Sequence, residues 1–148
     1  MKKMLVALVV GLFVAGLAGQ VLAAATKADA EAVVKKAIAF IKANGREKAI
    51  AEINAGKLNK GAVYPVINDV NGMCLAHGTN IKLTGKNLIG LKDADGVPFV
   101  QKMVEVAKTK CHGWVDYKFT NPTTHKIEPK TAYVEKYEDL VVNAGIYK

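Results

Sequence analysis

The sequence predicts an α+β domain built on a five-stranded antiparallel sheet. Three observations predict it. Two segments of helical period follow residue 26. Runs rich in β-branched and aromatic residues come next, punctuated by Asn-Gly, Pro and Gly. The last three of those runs follow one another across turns too short for a crossover helix, so neighbouring strands must run antiparallel.

Taken in order, residues 27–43 (KADAEAVVKKAIAFIKA) put Ala30, Val33, Val34, Ala37, Ile38 and Ile41 on one helical face and lysines on the other. Thr26 or Asp29 caps its start, and Asn44-Gly45 ends it. A second, shorter helix is predicted over 46–54 (REKAIAEIN). Residues 62–69 (AVYPVIND) and 73–78 (MCLAHG) are two strands meeting across Asn71-Gly72, the signature of a hairpin. Residues 79–96 form an irregular, glycine-punctuated connection. Helical period returns over 97–110 through Val97, Val100, Val104 and Ala107. Segments 114–121, 126–137 and 140–148 then form an antiparallel meander with a turn around Pro122. No repeat, low-complexity tract or linker interrupts the chain.

The first 25 residues have a different character. Met1-Lys2-Lys3 supplies a positive start, residues 4–19 (MLVALVVGLFVAGLAG) carry no charge, and QVLAAA offers small residues at cleavage spacing. This is the pattern of a secretory signal peptide over 1–25, with cleavage after Ala23 or Ala25, and it implies a periplasmic or secreted protein. An uncleaved anchor is the lesser reading, because the apolar run is shorter than the roughly 20 residues a spanning helix needs. What remains, residues 26–148, is one domain with enough chain for one core. The chain ends directly after the last strand, so no output domain is expected. The formal net charge is +8, and removing Lys2 and Lys3 lowers it to +6. The lysines of the remaining chain are scattered rather than clustered, which reads as a solvated basic surface and not as a nucleic-acid interface.

Several chemistries fail on spacing. Cys111-His112 lacks the first cysteine of the C-x-x-C-H haem motif. Gly85-Lys86 lacks the first glycine of a phosphate-binding loop, since position 80 is Asn. Asp93-Ala94-Asp95-Gly96 imitates part of a calcium loop, but its first and last ligand positions would be Leu91 and Lys102. Asp93 and Asp95 are better suited to turning the chain and capping the next helix. Cys74, His77, Cys111 and His112 have metal-ligand character, but strict alternation puts residues 74 and 77 on opposite faces of a strand. Two cysteines in an exported chain leave a Cys74–Cys111 disulfide open, with two separate thiols as the alternative. No catalytic set is legible, no cofactor is expected, and the chain is not read as an enzyme.

What remains is polar residues on apolar strand faces. By alternation His77 shares a face with Met73 and Leu75, Tyr117 with Val115 and Phe119, and Lys130 with Ala132 and Val134. Each alone is compatible with an ordinary core role, Lys130 through an apolar stem with its ammonium reaching water. Together they point to a small concave site for an anion, because buried charge is costly without a counter-charge.

The strings DVNGMCLAHGTNIKLTGKNLIGLKDADGVPF (69–99), GWVDYKFTNP (113–122), EPKTAYVE (128–135) and NAGIYK (143–148) resemble the single Cache domain, type 2. This family comprises extracytoplasmic sensor domains of bacterial chemoreceptors and histidine kinases. The resemblance implies a PAS-like sheet of strand order 2-1-5-4-3 with a long N-terminal helix. It also implies a ligand that is a small organic acid, held between the sheet and the segment linking strands 2 and 3. On matching positions His77, Tyr117 and Lys130 face that pocket. Val115 and Phe119 form walls, and Trp114 and Tyr133 are weaker candidates because alternation turns them away. The family often carries Pro where this chain has Gly78. Its strand order, with strands 2 and 3 at opposite edges, counts against the disulfide. The expectation is a stand-alone periplasmic Cache protein that binds a C2–C4 carboxylate. The alternative is an interaction module without ligand. It would dock on a membrane sensor or form a homodimer through an exposed apolar stripe on the 27–43 helix.

Overall fold

The computed structural model describes residues 24–148. The leader expected over 1–25 lies, up to residue 23, outside the described residues. Helices α1 (Lys27–Asn44) and α2 (Arg46–Asn54) lead into strands β1 (Pro65–Asp69) and β2 (Cys74–His77). A 3₁₀ turn (Ile81–Leu83) and helix α3 (Phe99–Lys110) precede β3 (His112–Thr120), β4 (Ile127–Tyr137) and β5 (Leu140–Tyr147). The five strands form one antiparallel sheet in the order β2-β1-β5-β4-β3. Among the described residues no helix is long and apolar enough to cross a membrane.

Helix α1 begins with a reciprocal cap. The Asp29 amide donates to Thr26 Oγ1 at 3.3 Å, and the Thr26 amide donates to Asp29 Oδ2 at 2.8 Å, so both predicted candidates take part. Lys60 Nζ, 2.6 Å from Asp29 Oδ1, helps hold that carboxyl down to about 2. All six predicted apolar residues of α1 are buried against β4 and β5. Lys35, Lys36 and Lys42 face solvent. The apolar stripe that self-association through α1 would need is therefore turned into the core. Burying a Val or Ile side chain stabilises by about 1.5–3 kcal/mol, so this face fixes α1 firmly on the sheet.

Helix α3 covers the other sheet face through Phe99, Val100, Met103, Val104 and Ala107, which pack on Val115, Tyr117, Ala132, Val134 and Val141. Its start differs from expectation. Asp93 Oδ1 accepts from the amides of Asp95 (2.9 Å) and Val97 (2.8 Å), and Oδ2 accepts from the Lys118 amide at 2.8 Å. Asp93 thus ties the connection to β3. The helix instead begins at Pro98-Phe99 without a side-chain cap.

The β1–β2 hairpin carries an irregularity that alternation does not foresee. Val66 pairs His77 and Ile67 pairs Ala76, but Asn68 pairs Cys74, so Leu75 is an extra residue in β2. Val66 and Asn68 share a face of β1, and the bulge therefore places Cys74 on the same face as His77. Leu75 turns to the α1 side, where it packs on that core. The predicted grouping of Leu75 with His77, and the predicted separation of Cys74 from His77, are both corrected.

Candidate functional site

Lys130 is the central oddity. It lies on β4 between Tyr117 of β3 and Tyr147 of β5, and it is only 2% exposed. Its stem passes over Gly145: a β-carbon there would stand 2.6 Å from Lys130 Cε and 2.8 Å from Thr131 O. Only a residue without a side chain leaves room for that path. The ammonium donates to Tyr64 Oη at 2.8 Å. Around it stand the rings of Tyr64 (4.1 Å to the centroid), Tyr147 (4.9 Å), Phe119 (5.7 Å) and Tyr117 (6.0 Å). None of the ion pairs among the described residues includes Lys130. Burial pushes its pKa down, partly opposed by Tyr64.

The phenols extend this arrangement. Tyr147 Oη donates to the Thr120 carbonyl at 2.8 Å, leaving its oxygen free to accept from Tyr64 Oη at 3.4 Å. Lysine, two tyrosines and a β3 carbonyl thus form one directed chain of donors and acceptors.

His77 is buried at the end of β2. Its backbone amide donates to Asn54 Oδ1 at 2.9 Å, which anchors the strand end to α2. The amides of Thr79 (3.2 Å) and Asn80 (3.0 Å) both donate to Nδ1. Two amide donors require Nδ1 to be an acceptor, so the neutral ring carries its proton on Nε2. Burial first, and the Lys130 charge second, hold the imidazole down to about 4. His77 therefore offers an N–H donor without a positive charge. Gly78, next to it, is tightly enclosed: a β-carbon would stand 2.5 Å from Asn59 Oδ1 and 2.8 Å from Tyr64 Cβ.

Tyr64, His77, Tyr117 and Phe119 line a cavity between the sheet and the β2–β3 connection. It is roofed by Leu83 and Leu88 and closed by Phe99, Val100 and Met103 of α3. Phe99 stacks on Tyr117 with centroids 4.5 Å apart and planes 6° apart. The space open to the centre of a water molecule is about 30 Å³. Roughly 10–15 Å³ suffices for one water, so the cavity suits a ligand of few heavy atoms. Leu91, Phe99 and Phe119 also line a surface recess near Ile127, so those three side chains separate the cavity from the surface there. Lys130 does not itself line the cavity; it borders an outer recess together with Asp93, Asp95, Asp116 and Lys118, and Tyr117 lines both spaces. The Lys130 ammonium reaches the cavity through Tyr64, Tyr117 and Phe119, whose side chains line it.

The other candidates separate. Val115 shares the α3-side core with Tyr117 but does not line the cavity. Trp114 and Tyr133 stand on the α1 face, 5.5 Å apart, with Lys27 over the indole at 4.7 Å and Lys35 over the phenol at 6.0 Å. They take no part in the cavity. The disulfide does not form: Cys74 is buried in β2 at one sheet edge, while Cys111 is exposed ahead of β3 at the other. Burial raises the Cys74 thiol to about 11. Among the described residues no three His, Cys, Asp or Glu side chains gather as metal ligands.

Sequence reasoning missed Tyr64, Asn68, Asn143 and Tyr147. Asn68 (2% exposed) and Asn143 (3%) are buried polar residues lining the cavity, and Asn68 Oδ1 has no hydrogen-bond partner. Alternation applied to 140–148 would have placed Asn143 and Tyr147 on one face, and applied to 62–69 it would have placed Asn68 with Tyr64 and Val66.

Comparison with known proteins fits this geometry. The profile of the family described as Single Cache domain 2 matches residues 14–148. The methyl-accepting chemotaxis protein McpP of Pseudomonas putida is 28% identical over 86 residues, which span 57% of this chain and 16% of that receptor. A solved periplasmic sensor domain of a chemotaxis protein is 26% identical, with a TM-score of 0.65 over 79% of this chain and 86% of that one. A structure described as the basis for carboxylic acid recognition by a Cache chemosensory domain is also 26% identical. Its TM-score is 0.64, over 79% of this chain and 84% of that one.

Proposed function

The chain belongs to the single Cache domain 2 family, and from that premise we propose that it reversibly binds a small carboxylate of two to four carbons outside the cytoplasm. One observation carries the reading. Lys130 is buried directly behind the cavity-lining Tyr64, Tyr117 and Phe119, with its ammonium among four aromatic rings and on the Tyr64 phenol, and no ion pair among the described residues includes it. An ammonium kept from water without a counter-charge is costly, and an anionic ligand offsets that cost. One carboxylate oxygen would accept from Lys130 Nζ and the other from His77 Nε2–H, with the Tyr117 hydroxyl as a third donor. Phe119 and Phe99 would cover the alkyl part.

The small cavity supports a ligand of few atoms, and carboxylic acid recognition by a 26%-identical Cache domain supports the ligand class. Export is supported by the basic, apolar and small-residue succession of residues 1–25.

Thermal melting with millimolar acetate, propionate, lactate and ethylamine tests the reading. The acids should raise the melting temperature by the linkage of binding to folding, roughly 2.7 kcal/mol at a hundredfold excess over Kd. The amine should not. Lys130→Met should abolish the acid effect while melting at or above the wild-type temperature, because it replaces a buried, unpaired charge by an apolar chain of similar length. No shift with any acid, or equal shifts in wild type and variant, would refute the site.

A further inference from the structure

Resting on the carboxylate reading, we propose that Asn68 sets the ligand's identity. Its unpaired side-chain oxygen accepts a hydrogen bond from a hydroxyl near the carboxylate, so the cavity selects a small hydroxy acid over the unsubstituted acid. Asn68 lines the cavity at 2% exposure, and its Oδ1 has no partner among the described residues. A buried acceptor left without a donor loses its hydration and gains nothing in return, so such groups in folded proteins call for an explanation.

The sheet register places Asn68 relative to the anion-binding donors. Val66 is flanked by His77 on β2 and Asn143 on β5. Asn68 is the next inward-facing residue of β1, roughly 7 Å further along the strand at two residues' rise. Tyr64, which holds the Lys130 ammonium, lies in the opposite direction from Val66. Along β1 the cavity thus has the donor His77 beside Val66 and the unpartnered acceptor of Asn68 two residues further on, with Val66, Val100 and Met103 among its apolar lining. A molecule with a carboxylate at one end and a hydroxyl on its second or third carbon satisfies both. An unsubstituted acid leaves Asn68 buried and unmatched.

Calorimetric titration of the full chain with propionate, lactate, 3-hydroxypropionate and pyruvate tests this. At least one hydroxy acid should bind roughly tenfold tighter than propionate, the discrimination of about one well-made hydrogen bond. In Asn68→Leu, a near-isosteric change, that preference should shrink to within about twofold, with propionate affinity retained. Propionate binding as tightly as both hydroxy acids, or a preference that survives Asn68→Leu, would overturn the assignment. So would pyruvate binding tighter than lactate, because a carbonyl has no proton to give Oδ1 and would report the reversed amide. If none of the four acids binds, the carboxylate reading itself falls. If all bind alike, only the role of Asn68 does.

Discussion

His77 shows how burial and two backbone amides decide what a titratable side chain can offer. In water an imidazole of pKa near 6.5 exchanges between one donor and two. Here Nδ1 is committed to the amides of Thr79 and Asn80, and the ring titrates only at about 4. The consequence for stability has a definite sign. The unfolded chain binds a proton at His77 between pH 6.5 and 4 while the folded chain does not, so stability is complete above pH 6.5 and falls as the pH drops towards 4. The loss at the end of that window is about 3 kcal/mol, from 1.36 kcal/mol per pKa unit. Melting temperatures at pH 7, 6 and 5 should fall progressively for the wild type and more shallowly for His77→Phe. A pH dependence unchanged by the substitution would contradict this account. The carboxyls held low by their neighbours, Asp29 among them, lose their stabilising charge interactions at lower pH.

Within single elements, the site depends on two departures from regular strands. The bulge at Leu75 rotates β2 so that Cys74 and His77 share the cavity side, and the hairpin register then sets His77 beside Val66. On β5, Gly145 opens a channel for the Lys130 stem between Asn143 and Tyr147. Gly145→Ala should displace the lysine from Tyr64. Acid affinity should fall by tenfold or more, and overpacking should cost about 1–3 kcal/mol of stability. Titration calorimetry and denaturant unfolding read the two effects separately. Unchanged affinity would mean that the stem tolerates another path.

At the scale of the molecule, the sheet divides two packed layers. The α1 layer, with Val33, Val34, Ile38 and Ile41 on Ile67, Val142 and Ala144, carries no cavity residue except through the sheet itself. The α3 layer and the β2–β3 connection enclose the cavity. Substitutions in the first layer should therefore change stability with little effect on binding, as expected for separated sites. Val34→Ala should lower unfolding free energy by about 2 kcal/mol from lost burial and the cavity it leaves. Acid affinity should stay within about threefold. A parallel loss of affinity would show that the two layers are coupled.

The succession of elements and the class of the fold were legible from local signals in the chain. Helical period, the Asn71-Gly72 turn and alternation are local signals, and the predicted boundaries lie within three residues of the observed ones. Alternation also singled out His77, Tyr117 and Lys130, because polar residues on apolar strand faces stand out within one segment. What needed the tertiary structure was everything that depends on distance across the sheet. Tyr64 meets Lys130 across 66 positions of chain, and the bulge that moves Cys74 leaves no mark in composition. The cap predicted from Asp93 became instead a tie to β3. Asn68 carries the same lesson: an asparagine is ordinary in a sequence, and only a closed cavity around it leaves its oxygen without a partner. Periodicity is written along the chain, whereas hydrogen-bond satisfaction and burial of charge are properties of the packed neighbourhood.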